Sequence, residues 1–472
     1  MPMERQATPV PSEKGSLHVP GLSAICFGFF MVILDTSVVN VALPAMQHDL
    51  HGSLEGLQWV VNSYTLVFAS LLLSAGTLGD RLGHKRAFLT GYVLFAGASL
   101  LCSLTPSLSV LVAARALQGV GPAFLVPSSL SLISHAFHDP GKRARAVGIW
   151  GGCSGIGLAG GPVIGGLLVE MWGWRSIFLL NVPLGLLAIA LTMRFVNETP
   201  RTTVKKSDLW GQVCVIIALA MLTYALIEGR SEGWTSPQII GMFLLCIGAS
   251  GGFVLIEVRH STPMLPLGFF ASAAITVPTL VGSVLNFGLY GILFALSLFF
   301  QDIHHSSAAL TGVALLPLTV ATGGTALISG RITARFATRR PMIGGLGAGC
   351  LGVVLLLLGE TDGNVLLLTA GEIITGLGCG MTVPAMTTTV LNAVPKSQVG
   401  VASALLNTSR QLGGVLGVAI LGSILGSLSD RSVFLAGMHI ALLLVALLFL
   451  LGSVLTSTSW STKTSGLRKQ DE

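Results

Sequence analysis

Residues 114–121 read Ala-Arg-Ala-Leu-Gln-Gly-Val-Gly, and residues 371–378 read Gly-Glu-Ile-Ile-Thr-Gly-Leu-Gly. The glycines keep the same register, and each stretch is followed by a proline, so one half of the chain repeats the other. The repeat places Arg115 in one half where Glu372 stands in the other, and both lie in strongly apolar sequence. An ionisable side chain within a membrane span is costly and usually marks an ion or substrate pathway. Paired halves around such groups predict a transporter.

The composition also indicates a membrane protein. Mean hydropathy is +0.81, charged residues are only 10% of the chain, and 59 glycines are spread through apolar sequence. A soluble core does not explain these values. Because a span needs about 20 residues, the chain has room for fourteen. We place them at 22–44, 57–79, 87–105, 109–132, 145–169, 174–195, 208–227, 239–257, 272–299, 308–330, 341–359, 365–391, 400–427 and 434–456.

Lysine and arginine are distributed unevenly between the two sets of loops, which defines a basic end and an acidic end of the molecule. Short cytoplasmic loops hold an excess of these residues, so we expect a multi-pass protein of the cytoplasmic membrane with both termini and the basic end inside. The net charge of +6 then follows from topology and does not indicate nucleic-acid binding. The basic loops contain Arg81, Lys85, Arg86, Lys142, Arg143, Arg145, Arg194, Arg201, Lys205, Lys206, Arg259, Arg331, Arg335, Arg339, Arg340 and Lys396.

Sites for enzymatic chemistry are missing from the sequence. The seven cysteines all fall within predicted spans without a CxxC pair, which argues against disulfides and a zinc site. His304 and His305 are adjacent and could bind a metal, but a solvated loop pair is the favoured interpretation. No P-loop, nucleophile elbow or dinucleotide fingerprint is present. We therefore expect no enzyme, no metal and no cofactor, with an ion gradient as the source of energy.

A second, weaker repeat defines the domain organisation. Gly76 and Arg81 follow span 2, and Gly330 and Arg335 follow span 10 in the same spacing. Equivalent loops are thus eight spans apart, so two six-helix bundles leave two extra helices between them. We expect an all-α polytopic fold with a cytoplasmic tail at 1–21, a first bundle at 22–195, a linker with two extra helices at 196–271, a second bundle at 272–456 and a cytoplasmic tail at 457–472.

Four motifs resemble those of the major facilitator superfamily, in its fourteen-helix drug:proton antiporter branch. Residues 34–44 (Leu-Asp-Thr-Ser-Val-Val-Asn-Val-Ala-Leu-Pro) resemble the first-span signature, and residues 76–86 (Gly-Thr-Leu-Gly-Asp-Arg-Leu-Gly-His-Lys-Arg) resemble the loop 2–3 motif. Residues 115–121 resemble the fourth-span motif, except that Pro122 follows where small residues are common. Residues 157–166 (Gly-Leu-Ala-Gly-Gly-Pro-Val-Ile-Gly-Gly) resemble the fifth-span antiporter motif.

The resemblance runs from about residue 22 to 456. It implies two bundles that rock around a central site and exchange external protons for an internal drug-like molecule, as in bacterial exporters of antibiotics and cationic biocides. The identity of the substrate does not carry over.

Asp35 and Arg115 are the candidates for proton coupling. A carboxyl group inside a span can alternate between protonated and ionised forms, and Arg115, which keeps its proton, could tune that carboxyl. In the alternative interpretation, Asp35 is permanently paired and only locks helices together, and Arg115 is a static packing cation.

Glu372 lies on the equivalent helix of the opposite bundle and could bind either a proton or a cationic substrate. Alternatively, threonine or serine hydroxyls nearby satisfy it. Arg410 could line the same region or extend to the membrane interface. Aromatic side chains could hold flat cations through cation–π contacts, although most membrane aromatics simply pack. The further candidates for the substrate cavity are Asn40, Trp59, Tyr64, Phe287 and Tyr290.

Two other motifs suggest conformational roles. In the loop after span 2, Asp80 could contact the positive end of a helix in the other bundle, while Gly76 and Gly83 allow tight turns and Arg81 and Arg86 belong to a charge network. The alternative is that these basic residues only set topology. In span 5, the glycines at 157, 161 and 165 share one face. With Pro162 and Gly166, Gly157, Gly161 and Gly165 are predicted to seal the interface between bundles, or else to serve ordinary helix packing.

These patterns predict a monomeric, proton-coupled efflux antiporter whose partners are protons, a small lipophilic or cationic molecule and the bilayer. Two alternatives remain open. One is a dedicated exporter of a single antibiotic or metabolite, and the other is a membrane sensor that binds a ligand without net transport.

Overall fold

The computed structural model describes residues 19–137, 139–200, 208–260, 263–395, 398–426, 428 and 430–459. Most of the two predicted tails, and residues 201–207 of the predicted linker, lie outside the described residues. Within these ranges the chain is almost entirely α-helical and contains no strand. The helices are α1 (Val19–Leu50), α2 (Leu54–Leu82), α3 (His84–Ser103), α4 (Leu108–Ala136), α5 (Pro140–Trp172), α6 (Arg175–Phe195), α7 (Leu209–Glu228), α8 (Pro237–Arg259), α9 (Ala273–Leu298), α10 (Ala308–Ala314), α11 (Leu316–Phe336), α12 (Arg339–Asp362), α13 (Val365–Asn392), α14 (Val399–Leu425) and α15 (Arg431–Ser459).

The helices confirm the expected all-α membrane fold. Over the described ranges, thirteen are long and apolar enough to cross a membrane, and α10 with the start of α11 forms a bent pair that can serve as a fourteenth span. The bend is 43° and falls just before Pro317 in the first turn of α11. Proline lacks the backbone N–H that would continue a helix, but it is well suited to begin one.

The two bundles, α1–α6 and α9–α15, repeat each other's packing. In the first, α1 packs on α5, and α4 packs on α2 and α3; in the second, α9 packs on α14, and α13 packs on α11 and α12. The repeated glycines explain this match. A Cβ atom on Gly119 of α4 would lie 2.3 Å from the Tyr64 carbonyl oxygen of α2, and one on Gly376 of α13 would lie 2.4 Å from the Leu318 carbonyl oxygen of α11. Only glycine allows these helices to cross so closely.

The bundles meet along two interfaces, α2 with α14 and α5 with α10 and α11. Hydrogen bonds between the bundles concentrate towards the acidic end. Gln58 Nε2 donates to the carbonyl oxygens of Val418 at 2.9 Å and Ala419 at 2.8 Å, and Ser297 Oγ donates to the Asn40 carbonyl oxygen at 2.6 Å. The structure is therefore closed at its acidic end.

The extra helices α7 and α8 lie beside the α2–α14 interface. Gln212 Nε2 of α7 donates to the Ser70 carbonyl oxygen of α2 at 2.6 Å, whereas α8 packs mainly on α7. Only 6% of the most apolar stretch of α8 is buried inside the molecule, so most of its surface faces lipid. At the acidic end, Arg230 Nη1 in the turn after α7 donates to the Ser423 carbonyl oxygen of α14 at 2.9 Å. The α7–α8 hairpin therefore joins the first bundle along α2 and touches the second bundle at one end.

Candidate functional site

A buried polar network surrounds Asp35 in the first bundle. Arg115 Nη1 of α4 donates to Asp35 Oδ2 at 2.7 Å, while Asp35 Oδ1 accepts from Gln118 Nε2 at 2.9 Å and from Asn181 Nδ2 of α6 at 2.7 Å. Gln118 also donates to Ser99 Oγ of α3 at 2.7 Å. All five side chains are at most 3% exposed. Three donors therefore hold the carboxylate at the centre of the bundle, away from bulk water.

Arg115 has further partners on α2. Its Nε donates to the Val60 carbonyl oxygen at 3.1 Å, and its guanidinium carbon lies 4.1 Å from the centre of the Tyr64 ring, within cation–π range. Val60 and Tyr64 are one helical turn apart, so they present the same face of α2. Arg115 thus holds α4 against α1 and α2. The structure brings the two predicted proton-coupling residues into direct contact.

The arrangement allows proton binding to move helices. A protonated carboxyl group donates a hydrogen bond from an oxygen that otherwise accepts one, and both oxygens of Asp35 face N–H donors. Neutralisation of Asp35 would therefore weaken at least one of these contacts. Arg115 keeps its charge and would lose its counterion in a buried place, which is costly. In the alternative interpretation Asp35 is permanently paired and only locks helices together, and that arrangement would have the same geometry in this state.

Glu372 of α13 stands at the position that the repeat relates to Arg115. Its side chain is 2% exposed, and Oε1 has no hydrogen-bond partner. Thr375, one turn further along, is also without a partner at Oγ1. No hydroxyl group among the described residues donates to Oε1 of Glu372, which counts against the structural alternative for this residue.

The predicted cavity residues do not all face one place. Tyr64 is buried beneath Arg115, and it lies within electrostatic range of Tyr290 across the bundle interface. Tyr290 and Phe287 sit on the side of α9 that faces α14, since Tyr290 packs near Gly414 and the Phe287 backbone packs near Gly417. Asn40 lies at the junction of α1 with α9, and its Oδ1 has no partner.

Trp59 does not belong to this group. Its Nε1 donates to Glu228 Oε1 of α7 at 2.8 Å, and its ring lies beside Tyr224 of the same helix. Trp59 and Tyr64 point in different directions because they are five positions apart, which corresponds to about 140° of rotation around α2. Trp59 therefore anchors an extra helix and does not line the centre.

Arg410 lies near the middle of α14, away from both ends of that helix. A Cβ atom on Gly282 of α9 would lie 3.0 Å from Arg410 Cγ, so the side chain passes directly over that glycine. Arg410 is half-buried, and its Nε has no hydrogen-bond partner. Tyr290 of α9 is close enough to interact electrostatically with its guanidinium group. The second bundle thus carries a cation and an acid that each have one polar atom, Nε of Arg410 and Oε1 of Glu372, without a hydrogen-bond partner among the described residues.

The loop between α2 and α3 is anchored within its own half. Asp80 pairs with His84, at 3.0 Å between Oδ1 and Nε2, and this contact replaces the predicted one with the second bundle. Gly83 has φ of +94°, a conformation that favours glycine, as the turn prediction requires. Gly76 lies inside α2, where an added Cβ atom would lie 3.9 Å from Pro127 Cβ, so its predicted turn is wrong.

Glu198, after α6, organises the same loop, and the sequence analysis missed it. Its Oε1 accepts from the Lys85 backbone N–H at 2.9 Å, and its Oε2 lies 3.7 Å from Arg86 Nε. Arg86 therefore takes part in a charge network, as predicted, but with a partner at the end of α6. Arg81, the other predicted member of that network, lies in the last turn of α2.

The glycine motif of α5 is divided between two neighbours. Cβ atoms on Gly157, Gly161 and Gly165 would approach α1, the closest at 2.4 Å from Ser37 Oγ, so these three glycines serve packing within the first bundle. Gly166 faces Ala308 of α10, where a Cβ atom would lie 2.4 Å from its carbonyl oxygen, and Pro162 meets Gly312 of the same helix. Only this second face of the motif seals the two bundles together.

Gln118, Asn181 and Ser99 are site residues that the sequence analysis did not single out. Gln118 is inside the fourth-span motif, three positions after Arg115, which places both on one helix face. Asn181 is an amide in the middle of an apolar helix, a position where an unsatisfied polar group is costly. That mid-span placement is the signal that could have identified it.

Comparisons with known proteins agree with this architecture. Residues 25–418 match the Major Facilitator Superfamily. The chain is 38% identical over 406 residues to the multidrug resistance protein Stp of Mycobacterium tuberculosis, which covers 86% of this chain and 75% of that protein. It is 38% identical over 411 residues to the methylenomycin A resistance protein of Bacillus subtilis, covering 87% and 88% of the two chains. A crystal structure of a POT family transporter in complex with 5-aminolevulinic acid is similar in fold, with a TM-score of 0.69 at 15% identity, over 93% of this chain and 97% of that one.

Proposed function

The chain belongs to the Major Facilitator Superfamily, and we propose that it is a proton-coupled antiporter that exports drug-like, lipophilic or cationic molecules. Efflux is supported by relatives whose names state multidrug resistance and antibiotic resistance. We place it in the cytoplasmic membrane, as a monomer, with both termini and the basic end inside. It would need no cofactor, because the proton gradient supplies the energy.

The Asp35 network is the observation that carries proton coupling. Asp35 is a buried acid whose three hydrogen-bond donors come from two other helices, α4 and α6, so a change in its protonation would alter the contacts of α1 with both. Arg115 supplies a fixed positive charge that competes with the proton for the same carboxylate. A proton that binds Asp35 would therefore release Arg115, and loss of the proton would draw it back.

The interfaces between the bundles support alternating access. Bonds such as Gln58 to Val418 hold the acidic end closed, while Asp80 at the basic end pairs within its own loop. In the topology proposed above, this state is closed to the outside. Protonation of Asp35 and release of Arg115 would then accompany the conformational change in which the acidic end opens and the basic end closes.

Flux in proteoliposomes with an imposed pH gradient is the decisive test. We expect a lipophilic cation such as tetraphenylphosphonium to move against its gradient only while the pH gradient is present. Collapse of the gradient with a protonophore should stop that movement. Saturable binding with no gradient-driven flux would instead identify a ligand-binding sensor.

The breadth of the substrate range needs a separate measurement. An efflux-deficient host that expresses the protein should tolerate higher concentrations of several unrelated compounds. Asp49→Asn is the control variant, because Asp49 is exposed near the end of α1, the helix that carries Asp35. Protection against one compound alone would favour a dedicated exporter.

A further inference from the structure

The α9–α14 contact contains a cationic site that the proposed function does not use. Arg410 lies near the middle of α14, half-buried, with Nε unpartnered. None of the ion pairs among the described residues includes it. An arginine in the middle of a span normally pairs with an acid or with carbonyl groups, so this one is poised for a partner that is not part of the protein.

Asn286 supplies an independent indication of a ligand. It is 1% exposed, and neither Nδ2 nor Oδ1 has a hydrogen-bond partner. It lies one turn after Gly282, which Arg410 crosses, and one turn before Tyr290, which packs near Gly414 of α14. These three positions share one face of α9, so Asn286 lies between the two contacts with α14. A buried amide without partners is costly, and a bound ligand that supplied partners would recover that cost.

The surroundings combine this polarity with an apolar wall. Leu406 and Met386 flank Arg410 at Gly282, and Phe287 lies beside Asn286 on α9 with 7% of its surface exposed. Tyr290 is half-buried and lies within electrostatic range of both Arg410 and Tyr64 of the first bundle. The site thus lies inside the second bundle, on the side where Tyr290 approaches Tyr64 of the first bundle.

We propose that Arg410, with Asn286 and Tyr290, binds an oxyanion group, such as a carboxylate, on the exported molecule. A guanidinium group can donate two parallel hydrogen bonds to such a group, while the amide and phenol add donors and Leu406, Met386 and Phe287 contact the apolar body. The proposal deepens the proposed function and rests on it, because it extends the substrate class to acidic amphiphiles. Glu372, whose Oε1 has no hydrogen-bond partner among the described residues, remains available for cationic groups.

Binding of two matched probes tests this site. The probes are 1-naphthoate and 1-naphthamide, which share a ring system and differ in charge, and their dissociation constants are measured on the purified full-length protein. We expect the wild type to prefer the carboxylate by about tenfold or more, because hydrogen bonds between charged groups are the strong ones. In Arg410→Gln the ratio of the two constants should fall to near one.

Three further variants keep the result interpretable if Arg410→Gln folds poorly. Arg410→Lys keeps the charge without the planar fork and should keep part of the preference. Asn286→Asp has nearly the same shape but offers Arg410 an internal carboxylate, so it should remove the preference. Arg431→Gln makes the same charge change at an exposed position of α15 and should leave the ratio unchanged.

Two outcomes would overturn the assignment. One is a wild-type protein that binds naphthoate no more tightly than naphthamide, and the other is an Arg410→Gln protein that keeps the full preference. Failure of the proposed function is recognised separately, because it would appear as no gradient-driven flux of tetraphenylphosphonium by the wild type, whatever the two naphthalene probes do.

Discussion

The two bundles use the same helix packing but treat their buried charges in opposite ways. In the first, Asp35 and Arg115 are in direct contact, and amides complete the shell around the carboxylate. In the second, Glu372 and Arg410 have no partner among the described residues at the atoms noted above. Protonation of a carboxylate that is paired inside the protein changes that internal pair. A buried charge without an internal partner instead favours a ligand of opposite charge. From this comparison we propose that the first half carries proton coupling and the second half binds the substrate.

Asp35→Asn should produce the largest effect. Asparagine fills the same volume but cannot take up and release a proton, so we expect proton-driven flux to fall at least about 100-fold, which corresponds to about 2.7 kcal/mol. Flux is measured in proteoliposomes with a fixed pH gradient and expressed per folded protein. The control is Asp49→Asn, an exposed acid near the end of the same helix that pairs with Arg175.

Folding must be separated from coupling in that experiment, since removal of one partner of a buried pair costs about 3–5 kcal/mol. The double variant Asp35→Asn with Arg115→Gln removes both charges and should recover folded protein without recovering flux. Normal coupled flux in either variant would break the comparison, because the paired charges would then be structural.

Glu372→Gln should produce an intermediate and selective effect. If Glu372 serves the substrate, the lost interaction is Coulombic and applies only to charged ligands. We expect transport of a lipophilic cation to fall about tenfold while a neutral compound keeps its flux in the same vesicles. The control is Glu55→Gln, an acid near the start of α2 at the acidic end. Equal loss of both substrates would show that Glu372 takes part in coupling, and the division between halves would be wrong.

Asp80→Asn should produce the smallest effect, a reduction of turnover by a few-fold. The two halves also differ here, because the repeat places Ala334 where Asp80 stands. In the present state Asp80 holds His84, and we expect its contact with the second bundle to form only when the basic end closes. Its loss should favour the state that is open at the basic end, which accessibility of cysteine reporters on the two faces would detect. Unchanged accessibility would leave Asp80 with a local role only.

Much of the fold could be predicted because hydropathy and glycine register depend on short-range sequence. The spans follow from segment length, and the two-fold repeat follows from glycines such as Gly119 and Gly376 that permit identical helix crossings. The pairing of Asp35 with Arg115 was also within reach, since isolated charges in spans seek each other. The resemblance to known motifs made those positions stand out.

Other parts of the site could not be read from the sequence because they depend on how helices are rotated. The spacing of Gly157, Gly161 and Gly165 predicts a common face, but it does not say that this face meets α1. In the same way, Trp59 and Tyr64 are both aromatic and close in sequence, yet they point to different neighbours. Asn181 is uncharged and comes from a helix without a motif, so nothing local connects it with Asp35.

The α7–α8 hairpin has an energetic consequence for the resting state of the molecule. It is fixed to α2 through Gln212 and Glu228, so it travels with the first bundle, while Arg230 reaches the end of α14 in the second. That bond can exist only while the acidic end is closed. An exposed hydrogen bond of this kind is worth about 0.5–1.5 kcal/mol, which corresponds to a two- to about tenfold excess of the closed state. Two helices outside the repeat thereby add to the thermodynamic bias towards the state that is closed at the acidic end.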